Sequence, residues 1–254
     1  MKKLIKSMAR RLGYDIVRYS PDQLPGLAAV HDLSASQQKI VADVRPFTMT
    51  SLERLAALTE AITHITKKGI AGDIVECGVW RGGSTMAAAL TLLELGDTSR
   101  SLYLFDTYEG MSAPTDADRS FDGVSAREQL DENKPGVEIR CVAGLEEVRA
   151  NLLSTGYPED KIHFIKGKVE DTLPHESPEP LALLRLDTDW YESTRHELTH
   201  LYPLLREKGV LIVDDYGWWQ GARKAVDEYL AEHEIDAYLH RIDCTGRILI
   251  KSGG

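Results

Sequence analysis

Before residue 71, the apolar positions of the chain follow helical spacing and show no strand pattern. The clearest case is the stretch "SLERLAALTEAITHITKKGI" (51–70), where apolar residues recur every three or four positions and would share one helix face. These positions are Leu52, Leu55, Leu58, Ile62 and Ile65. Gly69 stands where a helix C-cap is expected. We predict that residues 1–70 form an N-terminal helical cap, or lid, ahead of the main domain.

From Ala71 onward, short apolar runs alternate with helical patterns. The predicted strands are 73–79, 101–107, 161–167, 179–189 and 210–216, and the predicted helices are 83–96, 145–156, 193–209 and 221–233. The stretches "AYLHRID" and "RILIK" close the chain as an expected antiparallel pair. This alternation predicts an α/β domain over residues 71–254 with a doubly wound, mostly parallel sheet.

Acidic side chains stand at the carboxyl ends of four predicted strands. They are Glu76, Asp106, the pair Asp187 and Asp189, and the pair Asp214 and Asp215. Ligands of such sheets bind at this edge, so we expect these carboxylates to converge there. Clustered like charges repel unless something neutralises them. The pattern therefore predicts a site for a cation.

The turn "VECGVWRGGST" (75–85) places glycines between the first strand and its helix, where the backbone can approach a ligand closely. Its spacing is not G-x-G-x-x-G, but Asp106 at the end of the second strand would suit the ribose of NAD or of another adenosine cofactor. Glu76 favours S-adenosylmethionine, because a carboxylate suits its sulfonium and ammonium charges better than a pyrophosphate.

The composition excludes several classes of protein. The 254 residues carry a net charge of −10, which argues against nucleic acid as a partner. Three cysteines without metal-site spacing predict a reduced, cytoplasmic setting. No apolar run approaches the roughly 20 residues of a membrane span.

The segment "MKKLIKSMARRLGYDIVRYS" (1–20) alternates basic and apolar residues. It lacks the apolar core of a signal peptide. An amphipathic helix here could contact an anionic membrane surface. Packing of the same helix on its own domain or on a sister subunit is the favoured interpretation.

Four longer motifs resemble the macrocin O-methyltransferase family of S-adenosylmethionine- and metal-dependent sugar O-methyltransferases. They are "GDIVECGVWRGGS", "LFDTYEGM", "LLRLDTDWYEST" and "GVLIVDDYGWWQGARKAVDEY". The resemblance runs from about Arg45 to about Tyr229. It implies a Rossmann-like class I methyltransferase fold and an enzyme that transfers a methyl group.

The resemblance also implies roles for individual residues. Glu76, Gly78 and Gly82 would line the methionine part of the cofactor, and Asp106 would bind its ribose. Gly167 and Val169 would flank the adenine, with Glu170 beside them, and we also assign Ser84 and Asp187 to the cofactor site. Asp187, Asp214 and Asp215 would ligate Mg²⁺, and Asp189 would be the general base. The segment "TMTSLERL" (48–55) and the loop 108–125 would close over the substrate.

The metal prediction has a chemical reason. A sugar hydroxyl is a weak nucleophile, and a hard divalent ion held by carboxylates would lower its pKa and orient it. Alternatives that stay open are a catechol-type metal-dependent O-methyltransferase, an NAD-dependent sugar oxidoreductase and a silent binding module. The expected acceptor is a sugar on a natural product, glycolipid or polysaccharide, and we expect a homo-oligomer.

Overall fold

A computed structural model describes residues 32–130, 141–176, 178 and 180–253. The predicted amphipathic helix at residues 1–20 lies outside these residues. The described strands are β1 (Asp73–Cys77), β2 (Leu102–Asp106), β3 (Ile162–Lys166), β4 (Leu181–Leu186), β5 (Leu205–Val213), β6 (His240–Arg241) and β7 (Arg247–Ile250). They form one sheet in the order β3-β2-β1-β4-β5-β7-β6.

The first five strands run parallel, and β7 and β6 complete the sheet as the expected antiparallel pair. The chain order reverses between β1 and β4, which are neighbours in the sheet. In doubly wound sheets this switch point opens a crevice at the carboxyl ends of the strands. The predicted fold class is confirmed.

The described helices cover both faces of the sheet. They are α1 (Ala35–Val44), α2 (Leu52–Lys67), α3 (Gly83–Glu94), α4 (Ala126–Gln129), α5 (Leu145–Leu153), α6 (Val169–Thr172), α7 (Tyr191–Leu201) and α8 (Gln220–Glu232). Short 3₁₀ turns occupy Arg45–Phe47, Glu159–Lys161 and Tyr202–Leu204. Helices α2 and α3 pack together on one face, and α7 and α8 pack together on the other.

Each face of the sheet buries its own apolar cluster. One cluster joins Leu55 and Ile62 of α2 with Leu104 of β2, all fully buried. The other joins Leu198 of α7 with Leu184 of β4. Strands buried on both faces explain the near-continuous apolar runs of the sequence.

The helices before residue 71 begin at side-chain caps. Ser34 caps α1 through a reciprocal pair of hydrogen bonds with Gln37, and the Ser51 hydroxyl accepts the N–H of Arg54 at the start of α2. Such caps satisfy N–H groups that have no partner inside the helix. These helices share the apolar cluster of the sheet, so the boundary at residue 70 stays a prediction.

Several predicted boundaries were wrong. The helix predicted over 193–209 ends at Leu201, and β5 already begins at Leu205. Pro203 in the intervening 3₁₀ turn explains the break, because proline cannot donate the next helical hydrogen bond. The strand predicted over 179–189 ends at Leu186, which leaves Asp187 and Asp189 in the following loop. Among the described residues, every helix is too short or too polar to span a bilayer.

Candidate active site

A cavity of about 700 Å³ opens at the carboxyl ends of β1, β2, β4 and β5. Most of the predicted site residues line it. On the cofactor side these are Gly78, Ser84, Asp106, Gly167, Val169 and Glu170, and on the acidic side Asp187, Asp189, Asp214 and Asp215. Residues far apart in the sequence thus converge because parallel strands end at one edge of the sheet.

Two predicted cofactor residues, Glu76 and Gly82, are not among the residues that line this cavity. Glu76 is 3% exposed, and its two carboxylate oxygens are taken by Arg185 and by the hydroxyl of Thr85. Gly82 has φ of +88° at the start of α3, and a Cβ there would lie 2.5 Å from a methyl of Leu152. In the described structure, both residues lie behind those that line the cavity and affect its shape through their contacts.

The loop after β1 is held by Asp106. One of its carboxylate oxygens accepts the N–H groups of Val79 and Trp80, at 2.6 and 3.1 Å, and the other accepts that of Tyr108 at 2.7 Å. Gly78 has φ of +79°, and a Cβ at this position would lie 2.0 Å from the carbonyl oxygen of Asp187. Only glycine lets the loops after β1 and β4 come this close.

Four carboxyl groups cluster at the ends of β4 and β5. Asp215 lies close enough to Asp187 and Asp189 for these carboxyl groups to shift one another's pKa. Asp189 has φ of +69° and accepts the indole N–H of Trp219 at 2.6 Å. The left-handed backbone at Asp189 turns its side chain back toward the strand ends, which an extended continuation of β4 would not do.

The pKa values of these acids reflect their crowding. Burial, with the charge of Asp187 second, raises the pKa of Asp189 to about 8. Burial also raises the pKa of Asp187 and of Asp215 well above the usual range, and neighbouring carboxylates add to it. Without a further positive charge in the cavity, the cluster therefore resists full ionisation.

Arg185 lies under this cluster as its buried counter-charge. It sits in the middle of β4 with its side chain 3% exposed. Its guanidinium contacts Glu76, lies 2.9 Å from the Oδ2 of Asp187 and 2.8 Å from the Oδ2 of Asp214. It also donates to the hydroxyl of Thr50 at 3.0 Å, so a single cation links three acids to the segment before α2.

Arg54 brings a second cation from α2. Its guanidinium pairs with the Oδ2 of Asp214 and, at 3.1 Å, with the Oδ2 of Asp243 in the β6–β7 turn. Asp243 also accepts the hydroxyl of Ser51 at 2.6 Å and the N–H groups of Thr245 and Gly246. The start of α2 and the C-terminal hairpin are thereby tied to the acidic edge.

Neither arginine was predicted from the sequence. Arg185 could have been found, because an arginine inside an otherwise apolar strand must have a buried acidic partner. Arg54 could not have been found in this way, because it lies in a helix with other charged residues. Nothing in the sequence indicates which of them faces the acidic edge.

Two buried carboxylate oxygens in the cluster have no hydrogen-bond partner within the described structure: Oδ1 of Asp214 and Oδ2 of Asp215. Such atoms are costly unless a ligand satisfies them. No group of three or more His, Cys, Asp or Glu side chains in the described ranges is already arranged around a metal position. The two arginines explain this, because they occupy the Oδ2 of Asp214 and, for Arg185, that of Asp187. The remaining oxygens are of the hard type that Mg²⁺ prefers, so the donor set fits such an ion.

The loop 108–125 lies over this edge and is fixed by the two tryptophans that face it. The indole of Trp190 donates to the carbonyl of Ser112 at 3.0 Å, and Trp219 pairs with Ser120 through an isolated β-bridge. The rings of Trp190 and Trp219 meet edge to face at 5.0 Å. Asp118, fully buried in this loop, accepts the N–H of Tyr191 at 2.8 Å.

Comparison with solved structures places the fold in a known class. An O-methyltransferase from Bacillus cereus in complex with SAH superposes with a TM-score of 0.53 at 13% identity, covering 99% of this chain and 100% of that one. The O-methyltransferase NovP superposes with a TM-score of 0.71 at 32% identity, covering 82% of this chain and 83% of NovP. Together, the fold and the site define a class I S-adenosylmethionine-dependent O-methyltransferase.

The chain belongs to the macrocin O-methyltransferase (TylF) family, whose profile matches residues 19–251. A Streptomyces olivaceus relative, 8-demethyl-8-(2,3-dimethoxy-alpha-L-rhamnosyl)-tetracenomycin-C 4'-O-methyltransferase, is 37% identical over 78% of this chain and 73% of its own length. Mycinamicin III 3''-O-methyltransferase of Micromonospora griseorubida is 33% identical over 78% of this chain and 76% of its own. The predicted family is confirmed. The relatives are methyltransferases, which excludes the oxidoreductase and binding-module alternatives.

Proposed function

We propose that this enzyme methylates a hydroxyl group of a sugar carried by a natural product, glycolipid or polysaccharide. The relatives described above are named for methylation of glycosylated compounds, and a Streptomyces niveus relative is named demethyldecarbamoylnovobiocin O-methyltransferase. The observation that carries the methyl-transfer proposal is the carboxylate cluster, with two oxygens unpaired in the described structure, among the residues that line a cavity of about 700 Å³. The catechol-type alternative shares that cluster, but the curated relatives above 30% identity are named for other acceptors.

S-Adenosylmethionine would lie along the loops after β1, β2 and β3. The cofactor supplies an electrophilic methyl group on a sulfonium. Gly78 leaves room for it beside the strand ends, and Asp106 can accept ribose hydroxyls while it holds the N–H groups of Val79 and Trp80. Gly167 and Val169 would flank the adenine, as both line the cavity on that side.

We further propose that Mg²⁺ is held by Asp187, Asp214 and Asp215. When bound, such an ion lowers the pKa of a coordinated hydroxyl and fixes its direction. The Oδ1 of Asp214 and the Oδ2 of Asp215 are the unpaired donors that support the proposal. Arg54 and Arg185 engage the other oxygen of Asp214 and thereby fix the direction of its free one.

Asp189 is proposed as the general base. Its Oδ1 accepts the indole N–H of Trp219, which orients the carboxylate and leaves Oδ2 to take a proton from the acceptor. The loop 108–125, fixed by Trp190 and Trp219, would exclude water above the reacting atoms. Positioning of donor and acceptor would supply much of the rate.

The test is incubation with labelled S-adenosylmethionine and a panel of deoxysugar glycosides, glycolipids and catechols, with and without a chelator. Methylation of a glycoside that the chelator abolishes and Mg²⁺ restores is expected. Turnover insensitive to the chelator would overturn the metal role, and transfer to catechols alone would overturn the sugar acceptor.

Metal binding can also be measured without turnover. Excess Mg²⁺ at about 100 times its Kd stabilises a protein by about 2.7 kcal/mol, which raises the Tm of a chain of this size by several degrees. Asp215→Asn should reduce that rise, whereas Asp160→Asn, an exposed acid outside the site, should preserve it. An equal rise in both variants would place the ion elsewhere. A homo-oligomeric state and a cytoplasmic location stay predictions.

A further inference from the structure

A second cavity, of about 530 Å³, lies between helix α2 and the β6–β7 edge of the sheet, away from the active site. We call it the α2–hairpin groove. Its apolar lining includes Leu52, Ala56 and Ala57 on one wall and Ile242, Ile248 and Ile250 on the other. Ile250 is 53% exposed. Apolar side chains gathered along a groove favour a site that another segment covers.

Acidic groups line the same groove. They are Asp32, Glu53 and Glu60. His64 also lines it, and its Nε2 is buried with no hydrogen-bond partner in the described part of the chain. A ligand for this groove should therefore combine an apolar stripe with positive charge and a hydrogen-bonding group.

We propose that residues 1–20 of the same chain occupy the α2–hairpin groove. The described chain begins at Asp32 and Leu33, and both of these residues line the groove. The roughly 12 residues between positions 20 and 32 can span up to about 40 Å when extended. The segment therefore emerges beside the groove with enough chain to turn back into it.

The composition of residues 1–20 complements the groove. The segment carries the basic residues Lys2, Lys3, Lys6, Arg10, Arg11 and Arg18, interleaved with the apolar residues Leu4, Ile5, Met8, Leu12 and Ile16. The apolar set has the same character as the isoleucine wall, and the basic set is opposite in charge to the three acids of the groove. The family profile matches residues 19–251, so most of this segment lies outside it, and the proposal does not depend on the proposed acceptor or metal.

Occupation of the groove would also affect the active site, because α2 lines the groove and carries Arg54. Glu53 and Ala57 face the groove, and Arg54 on the same helix holds Asp214. A segment packed against α2 stabilises the helix that places this guanidinium, because its ordering adds buried apolar area to the helix.

The experiment is hydrogen–deuterium exchange of the full-length protein, read from peptides within residues 1–20 and within α2. Ala57→Glu and Ile250→Glu place a carboxylate on each wall of the groove. Ala150→Glu is the matched control, since Ala150 is exposed on α5, which packs beside β3 at the opposite end of the sheet. Circular dichroism confirms that each variant is folded.

We expect amides of residues 1–20 to be protected in the wild type and in Ala150→Glu, and to exchange about tenfold faster in both groove variants. Protection should not change with protein concentration. Equal exchange in all variants would overturn the proposal. So would protection that grows with concentration, which identifies a second copy as the occupant, or protection that appears only with phosphatidylcholine–phosphatidylglycerol vesicles, which identifies a membrane.

Discussion

The guanidinium of Arg185 lies 2.8 Å from the Oδ2 of Asp214, while the Oδ1 of the same carboxylate is buried and unpaired within the described structure. Arg54 donates to that same Oδ2. Two cations therefore hold one oxygen of Asp214 and leave the other without a partner among the described residues. This arrangement is that of a carboxylate prepared to bind a further positive charge.

Replacement of Arg185 should destabilise the protein severely. Arg185→Met leaves Glu76, Asp187 and Asp214 without their buried counter-charge, and removal of one partner of a buried ion pair costs about 3–5 kcal/mol. Urea unfolding measures the free energy. Arg206→Met, which removes an exposed arginine of β5, should change it by less than about 0.5 kcal/mol. Similar losses in the two variants would contradict a buried charge role for Arg185.

Replacement of Trp219 by phenylalanine should lower kcat. The variant keeps an aromatic ring against Trp190 but removes the N–H that Asp189 accepts at 2.6 Å. Hydrogen bonds to charged groups contribute about 1.5–3 kcal/mol, so kcat should fall by about tenfold or more. Trp218→Phe is the control, because Trp218 is 40% exposed and the indole that Asp189 accepts in the described structure is that of Trp219. An unchanged kcat in Trp219→Phe would remove the orienting role.

A comparison of two glycines isolates the close approach between the loops after β1 and β4. Gly78 and Gly156 both have φ of +79°, but a Cβ at Gly78 would lie 2.0 Å from the carbonyl oxygen of Asp187, whereas nothing lies within 4 Å at Gly156. Gly156→Ala should cost only about 1–2 kcal/mol, the strain of a left-handed alanine. Gly78→Ala should cost at least about 1–3 kcal/mol more and weaken cofactor binding.

Two measurements would separate the effects of Gly78→Ala. Urea unfolding measures the loss of stability, and calorimetric titration with S-adenosylhomocysteine measures the loss of cofactor affinity. Equal stability of the two alanine variants would show that the loops can move apart freely.

The stability contributed by Asp243 should depend on pH in a defined window. Burial alone would raise the pKa of Asp243, but hydrogen bonds from Ser51, Gly246 and Thr245, with the charge of Arg54, outweigh it and lower the pKa to about 2. A folded-state pKa below the unfolded value of about 3.9 means that the stabilisation is present above that value. It is lost as the pH falls through about 2.

Asp243→Asn should therefore be less stable than the wild type at pH 6, and the difference should narrow between about pH 4 and pH 2. Urea unfolding at each pH measures it, with Asp236→Asn, an exposed acid, as the control. A difference that is constant over this range would show that the charge of Asp243 contributes nothing.

Part of the site was predictable from the sequence because it depends on local order. The acids Asp187, Asp189, Asp214 and Asp215 follow apolar strands directly, and parallel strands end at one edge. Gly78 was predictable for a similar reason, as a glycine between a strand and a helix marks a close approach. The cavity lining confirms that these residues converge.

Other parts could not be read from the sequence. A strand-end acid such as Glu76 looks the same in the sequence whether it faces the cavity or the core, and only the structure shows that Arg185 and Thr85 hold its carboxylate in the core. Its role toward the cofactor stays a prediction. The helix predicted to reach residue 209 ends earlier, since sheet pairing of Leu205 with Leu181 outweighs the helical pattern.

The order of apolar runs and turns predicted, by itself, the mostly parallel sheet and the acidic edge, because the period of a strand or helix is a local property of the chain. The family was indicated by the resemblance of four longer motifs. Only the tertiary structure decided which oxygen of each acid is free. That choice depends on Arg54 and Arg185, which reach the cluster from α2 and from within β4. Which charges meet in the interior is a consequence of packing over long sequence separations, and no local pattern encodes it.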